Sequence, residues 1–490
     1  MLASHLLAFA LGAGAAIILG VVAGGAMARW WRGWTHKSSM RAHKRFGTRI
    51  DRFKLADRAT IIASLLENPD IAAAVRAHAA EHGVPETEAW AAVRRYLHEI
   101  VPAFSLWFYY HVGVAIADAV LKLFFRVVVI DKGERAAAQL PKDAVVIYLF
   151  NHRSNADYVI AAHALAGQVA LSYAVGEWAR VFPLEYLFKA FGGYFVRRRF
   201  REPLYHVVLE QYVQLITRNG VTQGIFPEGG LTRDGRFRPA KVGLLDYIIG
   251  VARDPAVAAR SYVVPVAINY DRVLEDRSLL RELRPEQGHR PPPRIVQFSI
   301  VLWYVAWNAF RMVTGRWKRL GDAVIVLGEP VPLASWFAGL RERGRDLFAL
   351  DRHARLGEVQ GLADDAMRRI GDLMPVPAAP LVCAAIQSLD AEYIPRARLL
   401  DRVEELRQTL VDEGRYVMAP EAELSAVVDR GIELLWIRRA VARSRDGVVV
   451  LPNGRELVSY YANTIAHLLG EFETAVRARD ALPVYAVVDL

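Results

Sequence analysis

Residues 144–157 read AVVIYLFNHRSNAD, an apolar run that gives way to a polar turn holding His152 and Asp157 with four residues between them. An imidazole with an ordinary pKa of about 6.5 is suited to taking a proton from a hydroxyl at neutral pH. A carboxylate beside Nδ1 would fix the tautomer that leaves Nε2 for the substrate. If a helix starts at about residues 154–156, Asp157 falls in its first turn and can fold back toward His152 on the preceding loop. The same spacing also suits a capping carboxylate beside a surface histidine, so the pair alone leaves both readings open.

Three later stretches place polar residues where apolar runs end. GGYFVRRRFRE (192–202) carries Arg197 and Arg198, whose planar forks match a phosphate; a solvated or lipid-facing basic edge is the other reading. GIFPEGGLTRDGRFRPAKVG (224–243) offers Glu228, then Gly229 and Gly230, which permit positive φ and close approach of backbone N–H groups to an anion. Arg233, Arg236, Arg238 and Lys241 add charge to that loop. VVPVAINYD (263–271) sets Pro265 inside an apolar strand, which marks an edge, a bulge or a pocket wall.

The elements that must hold these residues follow from the texture of the chain. Short β-rich runs (AVVIYLF, GGYFVRR, VTQGIF, SYVVPVAI, DAVIVLG) alternate with helical stretches such as LYHVVLEQYVQLITRNG. This predicts an α/β fold with a mixed, largely parallel sheet covered by helices, and in open α/β sheets ligands gather where strands end. The α/β domain is expected over 131–373, between a helical region at 35–100 and a mostly helical region at 374–490. In the first flank, Asn68 before Pro69 and the acids after Pro85 are helix starts; in the second, GVVVLPNGREL reads as a hairpin turning at Asn453–Gly454. Helices before a hairpin also suggest a winged-helix DNA binder, but acids interspersed along them argue against a nucleic-acid partner.

The chain has 490 residues, is 53% hydrophobic and carries a formal charge of +10, which points to an anionic partner. Its one cysteine, Cys383, rules out a disulfide framework or a cysteine zinc site within the chain. Residues 6–27 carry no charge and match the ~20 residues that cross a hydrocarbon core. A cleaved signal peptide competes with this reading, but no Lys or Arg precedes the run and Arg29, Arg32 and Lys37 follow it. An uncleaved transmembrane helix within an anchor at 1–34 is therefore expected, with the body of the protein on the cytoplasmic face. Residues 104–130 are long enough to span, but Asp118, Lys122 and Arg126 interrupt them, so an amphipathic helix at the membrane surface (101–130) is expected. The aromatic stretch 295–310 is too short to span and reads either as a groove or interface segment or as a core helix.

Taken together and in order, FNHRSNADY, GGYFVRR, FPEGG and VPVAINYD resemble the four blocks of the glycerophospholipid acyltransferase superfamily. The wider chain resembles its glycerol-3-phosphate and dihydroxyacetone-phosphate branch, including AWAAVRRYLHEI (89–100) and ELVSYYANTIAHLL (456–469). The resemblance implies a membrane-bound enzyme that transfers an acyl group from acyl-CoA or acyl carrier protein to the sn-1 hydroxyl of glycerol-3-phosphate. It implies His152 as general base with Asp157, and Arg197 or Arg198 on the acceptor phosphate, helped by Arg233 and Lys241. Glu228, Gly229 and Gly230 would shape the acceptor pocket and Pro265 its wall, with no metal, no cofactor beyond the thioester co-substrate, and no nucleophile at Ser154. Leu231 stands where that branch usually has arginine after its Glu-Gly-Gly, which keeps lysophosphatidic acid open as the acceptor. A catalytically idle membrane-surface binding module on the same fold is the non-enzymatic alternative.

Overall fold

The computed structural model describes Phe53 and residues 57–470 apart from 105–113, 132–139, 142, 166–170, 177–179, 181–183, 198–199 and most of 283–318. The expected transmembrane segment at 6–27 lies outside the described residues, and among these no helix is long and apolar enough to cross a membrane.

The main sheet is built from β1 (Arg126–Asp131), β2 (Val145–Phe150), β3 (Ser172–Gly176), β4 (Tyr194–Val196), β5 (Gln223–Ile225), β6 (Ser261–Tyr270), β7 (Asp322–Leu327) and β8 (Val331–Pro332). Its order is β1-β7-β6-β2-β5-β3-β4, with β8 beside β6. The run β6-β2-β5-β3-β4 is parallel throughout, while β7 is antiparallel to β6 and parallel to β1. The sheet is thus mixed and largely parallel, as expected. Helices Asp157–Ala164, Leu184–Ala190, Pro203–Arg218 and Gly243–Gly250 lie in the crossovers between successive parallel strands. Every residue of β2 and β7 is buried, the continuous apolar pattern of strands covered on both faces.

Pro265 occupies a position its chemistry allows. On one side of β6, β8 pairs at Tyr262–Val263 and β7 pairs from Val266 onward, so Pro265 falls in the gap between the two partners. Its carbonyl accepts from the Gly328 N–H at 2.9 Å, and the N–H it lacks would point to the same side, where the neighbouring chain turns between strands.

Helices Arg58–Leu66, Pro69–His82 and Glu86–Ile100 pack on helix Pro203–Arg218. Asn68 caps the second by accepting from the Asp70 and Ile71 N–H groups. The third buries Ala89, Val93, Leu97 and Ile100 along one stripe. Beyond the sheet, helices Ala378–Leu389, Arg396–Asp412, Leu424–Ile437 and Arg455–Asn463 accompany a small sheet of β9 (Tyr393–Pro395), β10 (Val441–Arg443) and β11 (Gly447–Val450), ordered β10-β11-β9. One apolar core runs without interruption from Ile61 to Leu468, so both flanks share the core of the α/β region.

Two expectations are corrected. The predicted helix over 104–130 stops at Phe124, and Arg126–Asp131 is strand β1, pairing with β7. The β-branched run Val127–Val129 joins the sheet instead of prolonging the helix. The hairpin is formed by β10 and β11, with Ser444 donating to the Gly447 carbonyl at 2.9 Å, while Pro452–Gly454 is a short 3₁₀ turn leading into the next helix. A Cβ on Gly454 would lie 2.0 Å from the Ala440 carbonyl oxygen, so this glycine serves close backbone approach, not a hairpin turn.

Candidate active site

β2 ends at Phe150, aligned with Val266, and β6 continues to Tyr270. The extra length of β6 forms a rail beside the loop that follows β2. Asn151 is tied to this rail by two bonds, its amide donating to the Ile268 carbonyl (2.9 Å) and its oxygen accepting from the Ile268 N–H (2.7 Å). His152 comes next, and Asp157 opens helix Asp157–Ala164, where the N-terminal dipole favours negative charge. His152 Nδ1 lies 2.9 Å from Asp157 Oδ2. That oxygen also accepts from the N–H groups of Arg153 (2.7 Å) and Ser154 (3.0 Å), and the other oxygen accepts from the Tyr270 hydroxyl.

The exposures, 2% for His152 and 0% for Asp157, exclude the surface-histidine reading. A carboxylate can only accept, so Nδ1 carries the proton and Nε2 presents its lone pair. Nε2 makes no hydrogen bond among the described residues. Tyr270 keeps its proton because burial, reinforced by the charge of Asp157, pushes its pKa well above the ordinary value. The imidazole is held between aromatic rings, with the Phe226 centroid at 4.4 Å and Tyr158 edge-on at 5.4 Å. Phe150 extends this apolar wall by stacking on Phe226 at 5.2 Å.

Several residues not singled out in the sequence hold this loop in shape. Glu275 accepts from the Ser154 hydroxyl (2.7 Å) and from the backbone and side-chain amides of Asn155 (both 3.1 Å). Burial pushes the Glu275 pKa up, and the bonds from Ser154 and Asn155 oppose that rise. Ser154 Oγ also accepts from the Ala156 N–H at 3.1 Å, so its hydroxyl is engaged in turn bonding. Arg153 is fully buried, reaches the carbonyls of Gly235 and Arg236 through Nη1 and lies 5.0 Å over the Phe237 ring. Its Nε and Nη2 have no hydrogen-bond partner among the described residues. Their place inside a quoted block is the one local signal for Arg153 and for Tyr270, which lies near the end of the Pro265 stretch; Glu275 has none.

The expected acceptor-binding residues divide into groups. Glu228 is wholly buried and clasps two loops, accepting from the N–H of His152 (2.8 Å) and of Arg238 (2.9 Å). Burial raises its pKa, and the Arg153 charge works against that rise. Gly229 has φ +64°, and a Cβ there would lie 2.8 Å from Lys241 Cδ, so Lys241 lies directly across the turn that holds Gly229 and Gly230. Arg233 is half-exposed and paired with Glu282 at 2.8 Å. Arg197, at the end of β4, is three strands along the sheet from β2, about 14 Å at ~4.8 Å per strand. Its Nε and Nη2 bind both oxygens of Glu99 (2.8 and 2.6 Å), and its guanidinium packs over Phe200 at 4.7 Å. Glu99 also takes Arg180 at 2.8 Å. The structure therefore brings His152, Asp157, Glu228, Gly229 and Lys241 together and leaves Arg197 in a separate ion pair. Arg198 lies outside the described residues.

Comparison with known proteins agrees with the four sequence blocks. Residues 134–269 match the acyltransferase family, and residues 306–471 match the glycerol-3-phosphate acyltransferase C-terminal region. A glycerol-3-phosphate acyltransferase of Pasteurella multocida is 23% identical over 428 residues, covering 85% of this chain and 50% of that protein. One from Shewanella oneidensis is 26% identical over 433 residues, covering 84% and 50%. The chain spans about half the length of the curated relatives it matches. A crystal structure of the 1-acyl-sn-glycerophosphate (LPA) acyltransferase from Thermotoga maritima aligns at 18% identity with a TM-score of 0.27, over 47% of this chain and 76% of that one.

Proposed function

We propose, from the matches to the acyltransferase family over residues 134–269 and to the glycerol-3-phosphate acyltransferase C-terminal region over 306–471, that the chain transfers a fatty acyl group from a thioester to the sn-1 hydroxyl of glycerol-3-phosphate. The observation that carries this reading is the buried His152–Asp157 pair, its Nε2 without a hydrogen bond among the described residues and its ring held between Tyr158 and Phe226. Nε2 takes the hydroxyl proton as the acceptor oxygen attacks the thioester carbonyl. The tetrahedral intermediate then collapses with cleavage of the C–S bond. The departing thiolate takes the proton from Nε2 and leaves as free thiol, so the histidine returns to its starting state. Asp157, steadied by Tyr270 and two backbone N–H groups, stabilises the imidazolium that forms between the two transfers.

Lys241, across the turn from Gly229, is the cation best placed for the acceptor phosphate, with Arg233 next on the same loop. Arg197 would join them only by leaving Glu99. The donor is acyl-CoA or acyl carrier protein, and no metal or other cofactor enters the steps above. The catalytic region works against a membrane on the cytoplasmic face, anchored by the apolar segment 6–27. In support, Trp303, Trp307 and Phe310 are 67%, 46% and 49% exposed and stack in sequence, a solvent-facing aromatic stripe suited to the headgroup region and inconsistent with a core helix.

Leu231 in place of the branch's arginine leaves lysophosphatidic acid as the alternative acceptor. Thiol release from palmitoyl-CoA, with each acceptor offered separately, decides between them. Release with glycerol-3-phosphate alone supports the first reading, and release with lysophosphatidic acid alone moves the chain to the second acylation. No release with either, with vesicle binding intact, leaves a binding module. Cys383 is buried, so a thiol reagent reads released CoA in the folded enzyme.

A further inference from the structure

Away from the His152 site, helix Pro69–His82 and the start of helix Pro203–Arg218 bring two imidazoles and a carboxylate together. His78 and His82 are one helical turn apart on the last turns of the first helix, and Glu202 is the N-cap of the second. One ligand-capable atom of each residue lies within 4.8 Å of the other two. We propose that His78, His82 and Glu202 form a binding site for a divalent transition metal, with zinc as its natural occupant.

Three features favour a metal over a surface polar cluster. His82 Nδ1 lies 3.1 Å from the His78 carbonyl; a carbonyl can only accept, so Nδ1 holds the proton and Nε2 keeps its lone pair. A backbone carbonyl on the far nitrogen is the usual way a ligating histidine is oriented. His78 Nδ1 lies 3.2 Å from Glu202 Oε1. Two N/O ligands each about 2.0–2.1 Å from a tetrahedral ion sit about 3.3 Å apart, so a cation can bind both of these atoms with little movement. The imidazoles are already side by side, their ring centroids 4.2 Å apart. Two histidines one turn apart plus a carboxylate make a borderline-soft N/N/O set suited to zinc, with water as fourth ligand.

The metal would join the N-terminal helices to the helix that follows the Arg197 loop. That loop is already pinned to the same helix, the Arg197 N–H donating to the Tyr205 hydroxyl (2.9 Å) and His206 bonding the Phe200 carbonyl (2.7 Å). The site takes no part in acyl transfer and stands whether or not that reading holds.

The test is calorimetric titration of chelator-stripped full-length protein with zinc chloride, repeated with His78→Ala, His82→Ala, Glu202→Gln and, as a control at an exposed histidine elsewhere, His353→Ala. Wild type and His353→Ala should each bind one equivalent. The two site-histidine variants should bind more than about tenfold more weakly, and Glu202→Gln, which keeps a capping acceptor but loses the charge, should also weaken. Cobalt in place of zinc should give the visible absorption of a tetrahedral ion in wild type and lose it in His82→Ala. His82 is exposed, so that variant should melt like wild type without metal. Absence of a zinc equivalent in wild type, or equal binding by His78→Ala and His82→Ala, would overturn the proposal.

Discussion

Replacing Tyr270 with Phe removes one hydroxyl and leaves the ring in place, which makes it the cleanest probe of how Asp157 is held. In the native site the carboxylate accepts from His152 Nδ1, the N–H groups of Arg153 and Ser154, and the Tyr270 hydroxyl, with no exposure to solvent. Among the described residues Tyr270 is the one donor to Oδ1, so Tyr270→Phe leaves a buried charged oxygen without that partner. A hydrogen bond to a charged group contributes about 1.5–3 kcal/mol, and the variant should lose stability in that range. Losing the donor also frees the carboxylate to shift, which loosens its alignment with His152 Nδ1 and weakens its stabilisation of the imidazolium. A loss of about 1.4 kcal/mol of transition-state stabilisation corresponds to roughly tenfold in kcat/KM. Asp157→Ala, which removes the carboxylate itself, should cost about 10³-fold or more. The assay is thiol release from palmitoyl-CoA at neutral pH, with thermal melts of the same preparations. A Tyr270→Phe enzyme with wild-type kcat/KM and wild-type thermal stability, beside an inactive Asp157→Ala, would refute the reasoning.

The other expectations concern the residues around this pair. Lys241→Met should raise the KM for glycerol-3-phosphate by roughly thirtyfold, about 2 kcal/mol of lost phosphate contact, with a much smaller effect on kcat; an unchanged KM would place the phosphate elsewhere. Glu99→Gln leaves Arg197 and Arg180 facing each other without their shared carboxylate and should destabilise the fold by about 3 kcal/mol, read by denaturant unfolding. Burial lowers the His467 pKa from 6.5 to about 3 while Nε2 donates to the Gly371 carbonyl at 3.1 Å. Between those pH values the unfolded chain binds a proton that the native chain refuses. Stability should therefore fall on acidification by about 1.4 kcal/mol per pH unit, roughly 2 kcal/mol at pH 5, a slope that His467→Gln should lose in melts across pH.

What the sequence made legible was local. β2 is an unbroken apolar run that ends in a polar turn, and the loop placement of His152 with Asp157 in the first helical turn followed from that boundary. Asn68 and the Pro85 start were readable because caps carry their own signature. What escaped depended on distance along the chain or on competing local signals. Tyr270 meets Asp157 across 113 residues and Arg197 meets Glu99 across 98, pairings set by strand order that no window of sequence contains. β1 was hidden because it continues an apolar helix with no glycine or proline to mark the change. The Asn453–Gly454 signal was overridden by the close packing of Gly454 on Ala440.

The most direct test of the central claim is to incubate the purified full-length protein in vesicles with palmitoyl-CoA and isotopically labelled glycerol-3-phosphate, then identify the labelled lipid by mass spectrometry for wild type and His152→Ala. The account expects 1-palmitoyl-glycerol-3-phosphate from wild type, with one free CoA per product molecule, and none above background from His152→Ala. Formation of the product at equal rates by both proteins, or no acylated glycerol phosphate from a folded, vesicle-bound wild type, would contradict it.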